Sequence, residues 1–389
     1  YWQWPGSTDW QDPAWGNTNV NTFATGNPVA ALNNYSDEGK SKALIGNIEA
    51  DYKIHGFEDL HIHLNMGMDI SSGKTNKSQS PYTYASGTYY YGNYGWNKMD
   101  TYNLSFSLYA QYIKDLAETH HFDIMAGYEW QHFHKKSDYF YYGLYPLTSQ
   151  KVDEEGNPLA GEYYLPSENT LYKTENYLVS FFGRFNYSLM DRYMLTFTLR
   201  DDGSSRFHKN KRWGVFPSLA LAWKINEEPF LKKATWLSDL KLRLGWGITG
   251  QQEGIGDYTY IATYTPNSQG AYYPLFGDGR TYRPDAFNPD LTWEKTTTWN
   301  AGIDFGILNN RLTLNFDVYH RKTKDLINTV TVPVGTNFKN KVTSNIGSLH
   351  NTGFEFAANW RAIQTKDWNW TIGYNLTYNK NKIDELIAS

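Results

Sequence analysis

The chain of 389 residues predicts an all-β protein: an antiparallel transmembrane β-barrel wall of twelve long strands. Three observations carry that expectation. Apolar residues recur at every second position over runs of about ten residues, the period of a strand with one apolar face. The runs match the ~9–11 residues a tilted membrane strand needs, whereas strands of soluble sandwiches usually run ~5–6. The central apolar-face positions of the runs carry no charge, as expected where a Lys or Arg on a lipid face near mid-bilayer costs roughly 2–4 kcal/mol.

The alternation is plainest in three runs. Leu240, Leu242, Leu244, Trp246 and Ile248 oppose Lys241, Arg243, Gly245, Gly247 and Thr249. Leu60, Ile62, Leu64, Met66, Met68 and Ile70 oppose His61, His63, Asn65, Gly67, Asp69 and Ser71, and Leu312, Leu314, Phe316 and Val318 oppose Thr313, Asn315, Asp317 and Tyr319. Arg184, Arg200, Lys224, Asp304 and Glu355 fall on the polar, lumen-type face of their runs.

In order, the predicted strands cover 42–54, 59–71, 101–114, 121–134, 175–188, 193–205, 213–225, 239–250, 293–306, 311–324, 353–362 and 367–380. Short links near 55–58, 115–120, 189–192, 226–238, 307–310 and 363–366 alternate with long ones near 72–100, 135–174, 251–292 and 325–352. This is the pattern of periplasmic turns and extracellular loops in outer-membrane barrels. The link at 206–212 is short and is placed outside by parity alone. The same parity makes residues 1–41 the end of an extracellular loop, and residues 42–380 the barrel strands and loops of one domain spanning 1–389.

Composition agrees with a barrel. Mean hydropathy is -0.64 and charged residues are 20%, yet half of a barrel's strand residues face a wet lumen, so a low mean is expected. Aromatic residues reach 17%, with 32 Tyr and 15 Trp, side chains that collect at membrane interfaces. The absence of Cys excludes a disulfide scaffold or thiolate metal site, and a net charge of -4 gives no reason to expect nucleic acid.

Five ordered segments carry a family resemblance: Arg200-Asp-Asp-Gly-Ser-Ser-Arg-Phe207, Trp213-Gly-Val-Phe-Pro-Ser-Leu219, Leu244-Gly-Trp-Gly-Ile-Thr-Gly250, Asn288-Pro-Asp-Leu-Thr-Trp-Glu294 and Asn345-Ile-Gly-Ser-Leu-His-Asn-Thr-Gly-Phe-Glu355. The chain resembles the SusC/RagA family of TonB-linked outer-membrane transporters of Bacteroidota, closely from about residue 175 and more loosely before it. The resemblance implies a 22-stranded barrel around a plug, a size at which a plugged lumen is expected. On that count the chain is an internal piece, with about ten strands, the plug, the TonB-contacting segment and the family's amino-terminal extension lying elsewhere. It opens at Tyr1 within a loop, without a signal peptide's charged and apolar regions. With both terminal strand edges unpaired, this piece alone is expected not to insert as a closed pore.

For function the resemblance implies energised import of oligosaccharides, or in some members peptides, across the outer membrane. A SusD-like surface lipoprotein would act as lid, and the TonB complex would act through the amino-terminal part. A passive porin and a surface adhesion or structural barrel are the alternatives.

Candidate substrate contacts are Trp2 and Trp4 in the first loop and Tyr89, Tyr90 and Trp96 in a later one. Flat aromatic faces with polar tips suit sugar rings; the plainer reading is loop packing, girdle or lid contact. His61 with His63, and His132 with His134, share a strand face at i and i+2, but neither pair has further ligands in sequence, so no metal site and no cofactor is expected. Asp153, Glu154, Glu155 and Asn157 match no EF-hand spacing. Gly250-Gln-Gln-Glu-Gly-Ile-Gly256 reads as a strand exit rather than a phosphate loop. His208, Lys209, Lys211 and Arg212 read as a solvated basic tip. Asp201 and Asp202 point to opposite faces, and no nucleophile stands beside a base, so no enzyme activity is expected.

Overall fold

The computed structural model describes residues 28–79, 93–117, 119–143, 171–266, 282–333 and 339–386. A seven-residue helix α1 (Pro28–Asn34) precedes β1 (Tyr35–Lys53), β2 (Leu60–Gln79), β3 (Asn93–Leu116), β4 (His120–Gly143), β5 (Tyr172–Leu189), β6 (Tyr193–Ser204), β7 (Trp213–Lys224) and β8 (Leu237–Gln251). There follow a small hairpin β9 (Tyr264–Pro266) and β10 (Tyr282–Pro284), then β11 (Glu294–Ile307) and β12 (Leu312–Lys324). A second hairpin, β13 (Ile327–Thr331) and β14 (Lys341–Asn345), leads to β15 (Ser348–Gln364) and β16 (Asn369–Glu385).

The twelve predicted strands are the twelve strands of one sheet, in the order β1-β2-β3-β4-β5-β6-β7-β8-β11-β12-β15-β16. The chain meanders, each long strand pairing with the next. Register follows the apolar pattern. Trp299 pairs with both Trp246 and His320, and Ile303 with both Leu242 and Phe316, so like faces stay together across three strands.

Several ends differ from expectation. Residues 1–41 are not wholly loop: α1 lies there, and β1 begins at Tyr35. β2, β3 and β4 extend to 20, 24 and 24 residues. In these extensions, such as Ser71–Gln79, both faces carry polar side chains, so backbone pairing continues where the apolar alternation has ceased. The link after β7 holds a single-turn 3-10 helix, Ile225–Glu227. The link after β5 turns through Met190 and Asp191 at φ 52° and 55°, both left-handed, which closes the hairpin in few residues.

Two compact units share these strands. One comprises 1–47, 67–104 and 132–175 and holds the polar extensions of β1 to β4. The other comprises 48–66, 105–131 and 176–389.

Burial is inverted relative to a soluble protein. Among the described residues only Phe207, Phe216, Ile255, Leu291, Trp293 and Val342 are buried hydrophobics, whereas Leu199, Leu219, Leu221, Leu244, Trp299, Ile303, Phe316 and Val318 lie exposed on one face of the sheet. Each such side chain left in water forgoes about 1.5–3 kcal/mol of burial, so this face requires an apolar solvent. Aromatics bound it. On β16 the eight residue steps from Trp370 to Tyr378 span about 27 Å of strand. Tilted at ~40°, that is about 20 Å of membrane depth, close to the height of a barrel's apolar band. Among the described residues no helix is long and apolar enough to cross a membrane.

Candidate functional site

The polar face carries the charges, and within the larger unit they are joined into ladders running across strands. Arg243 on β8 makes a double fork. Its Nε and Nη2 donate to the two oxygens of Asp304 on β11 at 2.9 and 2.8 Å, and its Nη1 and Nη2 donate to those of Asp317 on β12 at 3.0 and 2.8 Å. Asn315 donates to Asp304 at 2.8 Å, and Lys241 pairs with the same carboxylate at 3.4 Å. Planar guanidinium geometry is what permits two bidentate contacts from one side chain.

Gly302 makes this reach possible. It stands between Arg243 and Asp317 in register, and a Cβ there would lie 2.3 Å from Asp317 Oδ1 and 2.7 Å from Arg243 Nη2. The guanidinium therefore lies over bare backbone.

A second ladder centres on Arg200. It donates to Asp202 at 2.6 Å, to Glu129 at 2.8 Å and to the fully buried Ser180 hydroxyl at 2.8 Å. A third is neutral apart from one acid: Gln111 and Asn186 donate to the two oxygens of Asp123 at 2.9 and 3.2 Å, and Thr196 donates to Asn186 at 2.8 Å. Each ladder thus satisfies its carboxylates locally along the wall.

At the end of the sheet where the long connections leave, the β7–β8 register stops at Ser218 and Gly247, although β7 begins at Trp213 and β8 continues to Gln251. A small core lies beside this gap: Phe207, Phe216, Ile255, Leu291 and Trp293, with Leu178, Ile248 and Ile327 against it. Trp293 packs on Phe207 at 5.0 Å and edge-on to Phe216 at 5.4 Å, and its indole N–H donates to the Arg212 carbonyl at 2.9 Å. Gly250 leaves room for the Phe216 ring, since a Cβ there would lie 2.1 Å from Cζ.

Polar clamps surround this core. Asn345 imitates a strand partner for Thr292, accepting from its N–H and donating to its carbonyl, both at 2.8 Å, and it also donates to the Asp325 carbonyl at 2.9 Å. Glu294 accepts the Ile327 N–H at 3.0 Å, and Asn288 donates to the Thr343 carbonyl at 3.1 Å. Asp257 accepts from Arg206 at 2.9 Å and from Asn176 at 3.1 Å. All five segments that carried the family resemblance contribute to this core or to its clamps. They meet as the framework that fixes the loop roots.

Of the candidate substrate contacts, Trp2, Trp4, Tyr89 and Tyr90 lie outside the described residues. Trp96 sits half-buried on β3, stacked on Phe140 at 6.3 Å, with the Lys74 ammonium 5.1 Å from its ring centre. The acidic stretch 153–157 is likewise outside the described residues.

His61 and His63 acquire a neighbour that sequence spacing does not reveal. Asp51 of the adjacent strand lies 3.2 Å from His61 Nδ1 and 3.7 Å from His63 Nδ1, and the three ligand atoms fall within 4.8 Å of one another. A hydrogen bond between the His61 ring and the Asp51 carboxylate accounts for this geometry. His132 and His134 face each other edge-on at 6.5 Å, and His134 lies 3.8 Å from Glu175. Gly250 to Gly256 forms a strand exit, with Ile255 turned into the core and Gly254 at φ 89°. In the basic tip, Arg212 donates to the Phe207 carbonyl at 3.2 Å and His208 meets Tyr260 edge-on. Asp201 and Asp202 project to opposite faces of β6, and only Asp202 joins Arg200.

A strand-spanned wall with an apolar outer face, an ion-laddered inner face and clamped long connections defines the class of TonB-dependent outer-membrane receptor barrels. The sequence model of that family, "TonB dependent receptor-like, beta-barrel", matches residues 1–388, and the chain belongs to it. The TonB-dependent receptor SusC of Bacteroides thetaiotaomicron is 49% identical over 99% of this chain and 37% of its own length. The TonB-dependent receptor P3 of Formosa agariphila is 31% identical over 92% of this chain and 35% of its own. The RagAB peptide importer in its closed-closed state superposes with a TM-score of 0.75 at 28% identity, over 91% of this chain and 38% of that one. The chain spans a little over a third of the length of these relatives. By name they are TonB-dependent receptors and an importer.

Proposed function

We propose that this chain forms part of the wall of an outer-membrane importer that takes up oligosaccharides, energised through TonB and closed from outside by a SusD-like surface lipoprotein. The observation that carries the reading is the 49% identity to SusC across nearly the whole chain. The wall chemistry supports the solute class. Arg243 and Lys241 balance Asp304 and Asp317, Arg200 holds both Glu129 and Asp202, and Asp123 meets only amides, so the polar face offers hydroxyls, amides and largely compensated ions with a small excess of acid. Such a surface suits a neutral polar solute better than a strongly charged one, which would need a field of one sign.

On this reading the ends joined by the long connections face outside, and Trp2, Trp4, Tyr89, Tyr90 and Trp96 are stacking positions for sugar rings. The test is uptake by cells carrying the whole gene. Labelled oligosaccharide should accumulate only with TonB and an energised inner membrane, and should stop when the adjacent lipoprotein gene is deleted. Accumulation that survives loss of TonB would establish a passive pore, and accumulation of peptides instead would move the solute to the class named for RagAB. Unchanged uptake after Tyr89, Tyr90 and Trp96 are replaced together by Ala would remove the stacking role.

A further inference from the structure

Lys241, Arg243 and Arg200 of the polar face are ion-paired, but a group of lysines on the apolar face is not. Above the upper aromatic row the outward positions of β11, β12 and β16 carry Lys295, Lys322, Lys324, Lys380 and Lys382. Strand periodicity places Lys322 and Lys324 on the face of Phe316, Val318 and His320, and Lys380 and Lys382 on the face of Leu376 and Tyr378. Register brings them together: Lys295 pairs with Lys324, Lys322 with His350, His350 with Lys382, and Thr352 with Lys380. Among the described residues none of the five has a carboxylate within ion-pair distance. The nearby Asp384, at a bulge, is taken by His350 Nδ1 at 2.5 Å. Like charges placed directly across two strands, as Lys295 and Lys324 are, repel.

Directly below these lysines is a groove in the apolar face of about 810 Å³. Trp246, Trp299, Val318, Phe354 and Tyr378 line it around the small side chain of Ala301, and His320 and Thr352 close its upper end. The indoles of Trp246 and Trp299 stand 5.9 Å apart on adjacent strands. Next along β12 from His320 is Lys322, and next along β16 from Tyr378 is Lys380, each two residues on and therefore on the same face.

An apolar groove capped by uncompensated cations at the interfacial level matches one kind of ligand. We propose that this face holds a phosphorylated lipid of the outer leaflet, an acyl chain in the groove and its headgroup phosphate between the lysines of β12 and β16. Lysine stems run along apolar surface while their ammonium groups stay at the phosphate level, which suits this placement. The proposal rests on reading the apolar face as the lipid face and the long-connection end as the outer one. It does not depend on which solute is carried.

The test uses the full-length receptor, purified in detergent, stripped of lipid and examined by native mass spectrometry. A bisphosphorylated acylated glucosamine lipid and phosphatidylcholine are each titrated in. The anionic bisphosphorylated lipid should bind at least tenfold tighter than zwitterionic phosphatidylcholine, and 1 M salt should weaken it. A lysine near an anionic lipid surface contributes about fivefold, so Lys322→Gln with Lys380→Gln should lower affinity about 25-fold. Ala301→Trp, which fills the groove without altering charge, should lower affinity for both lipids. Equal binding of the two lipids, or unchanged affinity in the Gln variant, would overturn the proposal. So would full competition by inorganic phosphate, which would make the site a phosphate site. Receptor copies associating through this face with no lipid retained would assign it to a second copy of the chain. Because the readout needs no transport, a failed import reading leaves this result intact.

Discussion

Arg243 of β8 holds Asp317 of β12 across the whole width of β11, donating at 3.0 and 2.8 Å over a residue that has no side chain, Gly302. Adjacent strands lie ~4.8 Å apart, so the contact bridges close to 10 Å of wall. One guanidinium ties three strands, and the absence of a Cβ is what lets it pass.

Replacing Gly302 by Val should therefore sever the ladder without touching a charge. Arg243→Ala should do so by leaving Asp304 and Asp317 uncompensated, at about 1–3 kcal/mol for loss of a charged hydrogen-bonding partner. Arg243→Lys should recover part of the loss, since an ammonium cannot make two forks. Thermal unfolding of the full-length receptor in detergent, followed by heat-modified gel migration, ranks the three variants. Equal stability of Gly302→Val and the parent would refute the steric account.

The loop core should behave as a structural keystone. Phe207→Ala removes a fully buried ring and is expected to cost about 3–5 kcal/mol locally. Asn345→Ala removes the partner of Thr292 and should cost about 1–3 kcal/mol. Both should expose 252–293 and 325–347 to limited proteolysis while the twelve strands remain protected. Parental cleavage patterns in both variants would show that the clamps do not fix these connections.

Asp285, between β10 and β11, supplies a pH dependence. Its ion pair with Lys339 and the hydroxyl hydrogen bond from Thr265 at 2.6 Å hold its carboxyl below the usual carboxylate range. A carboxyl depressed in the folded state adds stability that is fully present above its unfolded pKa of about 3.9 and is lost as the pH falls through the folded value. The protection of amides at 264–266 and 282–284, taken relative to their intrinsic exchange rate at each pH, should accordingly be high at pH 7 and fall below about pH 4. Asp285→Asn should show low protection at both. A flat profile in the parent would remove the ion pair from the account.

The apolar face should reject charge by depth. Leu244→Arg, in the middle of β8, should destabilise the receptor by about 2–4 kcal/mol in bilayers. The same change at Thr297, at the level of the lysines, should cost about 1 kcal/mol or less, the repulsion from Lys322 opposite it. Refolding yields into vesicles compare the two, and equal penalties would contradict the assignment of this face to lipid.

The strands were legible because each lies between two solvents and records both in its side chains. Leu240, Leu242 and Leu244 against Lys241 and Arg243 is such a record, and it specified the strand and its two faces at once. Where a strand leaves the apolar band the record stops. The upper parts of β1 to β4 were therefore missed, although their backbones remain paired. The hairpins β9–β10 and β13–β14, of three and five residues a strand, are too short to show a period.

The site divides along the same line. That Arg243, Asp304 and Asp317 share the polar face follows from periodicity, and that face assignment needs no coordinates. That one guanidinium serves both carboxylates depends on three strands lying side by side with Gly302 in the middle rung. Likewise the family's five segments are visible as words in the sequence, but Phe207, Phe216, Ile255, Leu291 and Trp293 come from separate connections and strand ends. Sequence by itself determined which solvent each side chain meets, because local alternation encodes that directly. Only the tertiary structure decided which side chains meet one another across strands and loops, because those contacts join residues tens of positions apart whose distance is set by the sheet and not by the chain.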